Sequence, residues 1–296
     1  MTFHINITYC KANLNEELAS AKQSCDPINP AFSRTLEVTV SQYPVYPDLS
    51  GKTAFVTGGS GGIGAETCRW LTANRVRVAV SGRNVETLGQ VIEDLRRFDV
   101  ETISIAADCT DADAIERARL ATEAKLGPVD ILLAFAGGGN AMPAPVDQTT
   151  EDDWRSSIDH NLTATFLTLK AFLPGMKKRR AGAIVTMAST AGRSASPAPP
   201  AYAAAKAGVI MLTRHLAQEV GPMNIRVNCL SPSAILTERT AHHLPETKRA
   251  EIAALHPLNR LGTPADVAAA ALFLVSDSAS WITGATLDIV GGRLMH

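Results

Sequence analysis

The sequence predicts an α/β fold: a single doubly wound parallel sheet with helices on both faces. Three observations lead there. From Lys52 onward, short apolar runs alternate with longer amphipathic stretches. The runs show no polar alternation, as expected of parallel strands covered on both faces. A glycine-rich turn, Thr57-Gly-Gly-Ser-Gly-Gly-Ile-Gly64, separates the first run from the first helical stretch, where such a sheet begins its first right-handed crossover.

The candidate strands are 53–57, 76–81, 102–106, 131–135, 183–188, 226–230 and 286–290. A helix opens near Gly62, directly after the glycine turn. Another carries Trp154, Ile158, Leu162, Phe166 and Leu169 at spacings of three or four and closes on the cations 177–180, which suit a helix C-terminus. A third starts at Thr263-Pro-Ala-Asp266, a cap followed by proline in the first turn. Residues 1–48 read differently. Their scattered Pro, Asn and Ser lack a sustained period, which predicts an N-terminal arm with a short helix at 14–23 ahead of one domain over 49–296.

The bulk numbers exclude several classes. The chain has 296 residues, 46% of them hydrophobic, and a net charge of −1, so it can bury a core but has no basic surplus for nucleic acid or an anionic membrane. Five cysteines, at 10, 25, 68, 109 and 229, form no C-x-x-C pair. They predict reduced thiols, a cytoplasmic setting and no metal site. No apolar run reaches membrane-span length, and the first residues lack the charged start and apolar stretch of a secretory signal. Glu16, Glu17 and Asp26 argue against a transit peptide.

The chemistry concentrates in Tyr202-Ala-Ala-Ala-Lys206, with Ser189 thirteen residues upstream. Tyr and Lys four apart share one helix face, so the ammonium can sit beside the phenol ring. A phenol titrates near pH 10; bringing it to about 7 takes roughly 4 kcal/mol of preferential phenolate stabilisation, at about 1.36 kcal/mol per unit. A neighbouring lysine and an oxidised nicotinamide ring are fields able to supply it. Ser189 would hold the substrate oxygen within reach of the tyrosine. Together these residues predict a carbonyl/alcohol redox site. In the glycine turn, small residues let backbone amides and the helix dipole approach a pyrophosphate; a plain turn is the competing reading. Arg83 ends the second strand, where a carboxylate would bind the adenosine ribose hydroxyls. Gly82 offers no repulsion to a 2′-phosphate and Arg83 offers a fork to hold it, against the alternative of a solvated loop arginine.

These motifs resemble the short-chain dehydrogenase/reductase family from about Leu49 to the C-terminus, in the family's order and spacing. The resemblance implies a Rossmann-like catalytic domain with a substrate lid at about 234–262. It makes Gly58, Gly62 and Gly64, with Ser60, Gly61 and Ile63, the dinucleotide loop; the family's frequent basic residue there is Gly61 in this chain. It sets Asp108 against the adenine amine and Cys109 beneath the ring, although Asp108 or Thr110 could equally cap the helix that follows. Ala136 and Gly137 would approach the nicotinamide ribose, while Ala134 and Phe135 replace two structural asparagines. Asn161 would hold a relay water for Lys206, with His160 structural. Ile235 and Thr237 would contact the carboxamide and pyrophosphate, after a Pro232-Ser233 pair where the family has Pro-Gly. No catalytic role is assigned to His242, His243 or His256 in the lid.

The expected activity is NADP(H)-dependent reduction of a carbonyl to a secondary alcohol, or the reverse, with NAD(H) as the alternative cofactor. Tyr202 is the general acid/base, Lys206 lowers its pKa and anchors the ribose, Ser189 orients the substrate and Asn161 completes the relay. The segment from Ser189 to Gly208 is most similar to 3-oxoacyl thioester reductases. Those acting on acyl-carrier protein carry two basic residues near the entrance. Arg180 matches one and Met223 stands at the other, which leaves a carrier-protein partner open. The alternatives are a secondary-alcohol or steroid dehydrogenase of specialised metabolism and a catalytically idle nucleotide-sensing regulator. Apolar surface on the 154–173 helix and on the helix after Tyr202 predicts self-association into a dimer or tetramer.

Overall fold

The computed structural model describes residues 43–138 and 143–295. Residues 1–42 of the predicted arm, with its helix at 14–23, Cys10 and Cys25, fall outside the described residues, as do Gly139, Asn140 and the side chains of His242 and His243. All the elements below belong to one compact unit, Val45–His296.

Seven strands form one sheet: β1 (Thr53–Thr57), β2 (Arg77–Gly82), β3 (Thr102–Ala106), β4 (Ile131–Ala134), β5 (Gly182–Met187), β6 (Ile225–Pro232) and β7 (Thr286–Ile289). Their order is β3-β2-β1-β4-β5-β6-β7, and every pairing is parallel. The chain runs outward from β1 in one direction and then returns to the other side at β4. Between these two strands, at their carboxyl ends, lies the crevice in which such sheets bind ligands. Every residue of β1 and β4 is buried, which accounts for their unbroken apolar runs. β6 continues past the expected Leu230, because Ser231 and Pro232 still pair with Asp288 and Ile289 of β7.

The helices are α1 (Gly62–Ala73), α2 (Val85–Leu95), α3 (Ala112–Leu126), α4 (Glu151–Ile158), α5 (Ala164–Arg179), α6 (Pro200–Val220), α7 (Glu238–His243), α8 (Glu246–Ala254) and α9 (Pro264–Val275). α1 packs on α2 and α9, and α3 packs on α5. The Phe55 ring of β1 meets Phe172 of α5 with centroids 4.5 Å apart, joining sheet to helix layer in the core. α9 starts as its sequence predicts. Thr263 Oγ1 accepts from Asp266 N, and the Asp266 carboxylate accepts from Thr263 N at 2.7 Å, a reciprocal cap with Pro264 in the first turn. The Arg260 fork holds that carboxyl far below its ordinary range.

Two expectations require correction. The α3 cap is Asp111, whose carboxylate accepts from Asp113 N and Ala114 N; Asp108 instead closes the preceding turn onto Thr110. The stretch predicted as one helix from Trp154 is broken by a π turn over Asp159–Thr163 between α4 and α5. A π turn holds one residue more than an α turn and rotates everything before it relative to everything after. The face on the sheet is therefore Ala164, Thr165, Thr168, Leu169, Phe172 and Met176, while Trp154 and Phe166 of the predicted stripe are each 45% exposed. Asn161, expected on nearly the same face as Trp154, is fully buried.

The chain between β6 and α9 carries α7 and α8. Arg249 of α8 donates to Leu244 O and Ala241 O at the end of α7, fixing the two short helices to each other. Among the described residues no helix is long and apolar enough to cross a membrane.

Candidate active site

A cleft of about 1140 Å³ opens along the carboxyl ends of β1, β2 and β4. Its floor begins with the glycine turn, through Gly58 and residues 60–64. At Gly58 and Gly64 the loop has no room for a side chain. Gly58 has φ +66°, and a Cβ there would meet Phe135 O at 2.9 Å; a Cβ on Gly64 would meet Gly58 O at 2.1 Å. Strand, loop and α1 are thus pressed together, with the α1 N-terminus facing the cleft. A pyrophosphate fits this cradle: its charge would meet unpaired amides and the positive end of a twelve-residue helix.

Gly82, Arg83, Asp108 and Cys109 line the cleft at the ends of β2 and β3. The Asp108 carboxylate accepts from Thr110 N at 2.9 Å and from its hydroxyl at 2.8 Å. These two bonds hold its pKa below the usual range, with smaller contributions from Arg83 and His160. Cys109 is a buried thiol pushed up to about 12 by desolvation, so it stays protonated. His160 also lines the cleft, with Nδ1 bound to Ser156 O at 2.7 Å.

Ala136 and Gly137 follow β4. Thr57 ties this turn to β1: its Oγ1 accepts from Ala136 N at 3.0 Å and donates to Leu133 O. Asn161 then clasps the next residue. Its Oδ1 accepts from Gly138 N at 2.8 Å, and its Nδ2 donates to Gly138 O at 2.8 Å and to Ser157 O at 2.9 Å. Both Nδ2 hydrogens are committed, while Oδ1 keeps one lone pair for a water. The π turn makes this clasp possible by turning Asn161 inward.

Ser189 stands just beyond β5, and Tyr202 and Lys206 on the first turns of α6. Lys206 Nζ lies over the Tyr202 ring, 5.6 Å from its centroid, and donates to Met187 O at 2.8 Å. Burial brings the lysine down to about 8, still largely protonated at neutrality. Burial raises the Tyr202 phenol above its ordinary value; its hydrogen bond with Ser189 and the charge of Arg239 pull it back. The sequence assigned that lowering to Lys206. The Lys206 ammonium lies over the ring face, and the charge of Arg239, a residue unnamed in the sequence reading, acts on the phenol as well. No local motif marks Arg239; only folding of the lid brings it there. Met187 and Gly137 line the cleft, and Ser189, Tyr202 and Lys206 stand behind them.

Ile235 and Thr237 enter the lid. Ile235 pairs with Gly262 across the lid's base. Thr237 caps α7, lines the cleft and packs on the glycine turn, its Cγ2 3.2 Å from the position of a Cβ on Gly62. Ser233 hydrogen-bonds His256 Nε2 at 3.0 Å, and His256 Nδ1 lies 2.8 Å from Ile252 O, so this buried histidine braces the lid. Arg180 precedes β5 and donates to Pro222 O, at the amino ends of the strands, whereas the cleft opens at their carboxyl ends.

Comparison with known proteins adds an independent line. A family model described as enoyl-(acyl carrier protein) reductase matches residues 58–293. A 3-oxoacyl-(acyl-carrier-protein) reductase of Chlamydia pneumoniae is 38% identical over 244 residues, 82% of this chain and 97% of its own. The 7alpha-hydroxysteroid dehydrogenase of Escherichia coli K12 is 33% identical over 84% of this chain and 96% of its own. A solved 3-oxoacyl-(acyl-carrier protein) reductase from Brucella melitensis, with bound NAD, has a TM-score of 0.77 and 34% identity, covering 85% of this chain and 94% of that one. A 7α-hydroxysteroid dehydrogenase complexed with NADH and 7-oxo glycochenodeoxycholic acid has a TM-score of 0.80 and 31% identity, covering 85% and 97%.

Proposed function

The chain belongs to the short-chain dehydrogenase/reductase family and is an oxidoreductase of carbonyl and alcohol groups, and from that premise we propose an NADP(H)-dependent reductase of 3-oxoacyl thioesters or similar oxo compounds. The observation that carries the reading is the gathering of Ser189, Tyr202, Lys206 and Asn161 behind Gly137, at one end of a cleft whose other end is the glycine turn. Gly58, residues 60–64, Ala136, Gly137, Ile235 and Thr237 would hold the dinucleotide, with Asp108 and Cys109 about the adenine. When bound, the reduced nicotinamide supplies the hydride that turns a carbonyl carbon into an alcohol carbon.

The protein's own groups handle the oxygen and its proton. Tyr202 gives its proton to the substrate oxygen during reduction and takes it back during oxidation. Ser189 donates a hydrogen bond to that oxygen and fixes it beside the phenol. Lys206 holds the ribose, and its charge, with that of Arg239, favours the phenolate left after proton transfer. Asn161 positions the loop carrying Gly137 and leaves a lone pair for a relay water.

Preference for the phosphorylated cofactor rests on Arg83, which lines the cleft, and on the absence of any carboxylate at Gly82. Arg180 supports a carrier-protein partner only if that partner reaches the cleft of another copy, since it lies at the amino ends of its own strands, away from the cleft. Trp154, Phe166 and Met211, at 45%, 45% and 59% exposure on the α4–α6 surface, support self-association through these helices. The three described cysteines, all buried and free, support a reducing, cytoplasmic setting. Steady-state assays with 3-oxoacyl thioesters, cyclic ketones and secondary alcohols, following nicotinamide absorbance, test the reading. Turnover of none of them by cofactor-saturated protein would favour the idle regulator.

A further inference from the structure

Gly137 and Gly138 each face a cation. A Cβ on Gly137 would stand 3.0 Å from Lys206 Nζ, and a Cβ on Gly138 would stand 3.1 Å from Arg239 Nη1. Consecutive Cα atoms are about 3.8 Å apart, so the lysine behind the loop and the lid arginine in front of it meet the chain one residue apart. Arg239 lies in the first turn of α7, two residues after Thr237, and lines the cleft. Its arm therefore leaves the lid and reaches the floor loop at the end where Tyr202 stands.

We propose that Arg239 holds an anionic group of the substrate, so that the preferred substrates are oxo acids, and the matching hydroxy acids, with a carboxylate near the reacting carbon. The inference rests on the carbonyl-reductase reading above and narrows its substrate class. Two other cleft features point the same way. The dinucleotide phosphates already have the α1 N-terminus, Thr237 and, at the adenosine end, Arg83, none of them beside Tyr202. The cleft also carries two carboxylates, Asp153 and Glu238, and at its Tyr202 end the charge of Arg239 reaches the phenol and lowers it. A planar guanidinium fork can grip a carboxylate through paired hydrogen bonds.

The test uses 2-oxo, 3-oxo and 4-oxo short-chain acids, each beside its methyl ester, which keeps the skeleton and removes the charge. kcat/KM is measured for the wild type, Arg239→Ala and Arg239→Lys, and NADPH affinity is read separately by fluorescence titration. The wild type is expected to prefer at least one acid over its ester. Arg239→Ala should lose about 10- to 150-fold more on that acid than on its ester, the worth of a charge-assisted bond, while the loss on the ester measures what the arginine's charge does for the phenol. Arg239→Lys should recover part of the loss, and NADPH affinity should stay within about twofold in both variants. Faster reduction of the esters throughout, or equal losses on acid and ester, overturns the inference while leaving the reductase reading intact. Weakening of NADPH affinity by the factor lost in turnover assigns Arg239 to the cofactor phosphates and likewise overturns it. Reduction of no member of the series, nor of any neutral ketone, sinks the reductase reading and the inference with it.

Discussion

Ser60 fills the space that a side chain at position 82 would need: its Oγ lies 2.9 Å, and its Cβ 3.0 Å, from where a Cβ on Gly82 would stand. The glycine at the end of β2 is thus locked to a residue of the glycine turn more than twenty positions earlier. Converting cofactor preference toward NADH requires a carboxylate at 82, and Ser60 blocks it. Gly82→Asp alone should weaken NADPH binding without a matching gain for NADH, and should lower thermal stability. Ser60→Gly with Gly82→Asp should bind NADH better than either single variant. Equal NADH affinity in the single and double variants, measured by titration, would contradict the steric link.

Arg83→Ala addresses the other half of that discrimination. A charge-assisted hydrogen bond contributes about 1.5–3 kcal/mol, or roughly 10- to 150-fold in affinity. Wild type is expected to prefer NADPH, and the variant to lose most of the margin with little change for NADH. Equal binding of both cofactors by the wild type would make Arg83 a surface residue.

Tyr202→Phe should cut turnover by about 10²–10⁴-fold with cofactor affinity preserved. Ser189→Ala should act similarly. The double variant should be little worse than either single one, because the two serve one proton transfer. Near-native turnover by folded, cofactor-saturated Tyr202→Phe would end the assignment.

Lys206 makes stability depend on pH. Burial lowers it from 10.5 to about 8. Between those values the unfolded chain keeps a proton that the folded chain has shed, so this group's contribution to stability rises with pH across the window and is least favourable below it. At about 1.36 kcal/mol per unit, the burial penalty at pH 7 is on the order of 3 kcal/mol. Lys206→Met should therefore stabilise the cofactor-free protein at pH 7, lose that advantage towards pH 10.5, and be inactive. Denaturant midpoints showing the same advantage at both pH values would refute this.

Asn161→Ala would strip Gly138 of both backbone partners. Gly138 is part-buried, and buried groups left unsatisfied cost about 1–3 kcal/mol each, so a drop in stability towards the low end of that range is expected, with amide exchange accelerated at Gly138 more than along β4. Unchanged exchange there would mean that the loop is held by something else.

Phe166→Glu should reduce self-association without unfolding the chain, since Phe166 is half-exposed and off the core face. A wild type that sediments as a single chain at micromolar concentration would dispose of the proposed interface.

The centre of the sheet was legible because parallel strands buried on both faces must be continuously apolar, and β1 and β4 start where their runs start; β3, at the sheet's edge, is only half-buried and its Thr-Ile-Ser-Ile-Ala run alternates instead. The glycine turn and the Thr263 cap were legible for a similar reason: each is a local solution to a local backbone problem. What escaped depends on distant partners. Asp108 and Thr110 were expected as caps, and only the geometry of the turn gives that role to Asp111. The π turn has no local signature, because its cause is the tertiary clasp between Asn161 and Gly138. Arg239 and the Ser60–Gly82 contact exist only once a lid and a loop have been folded against the sheet.

The π turn also bears on how this helix tolerates change in length. One residue more than an α-helix needs is held between Asp159 and Thr163. Deleting a residue there would let α4 and α5 fuse into one regular rod, with better helical geometry than the native chain has. The rod would also turn Trp154 and Asn161 back towards a common side, and no single orientation could keep the tryptophan outward and the asparagine on Gly138. A shorter, straighter protein would thus be available one codon away, and the clasp on the floor loop would be lost with the irregularity that sustains it.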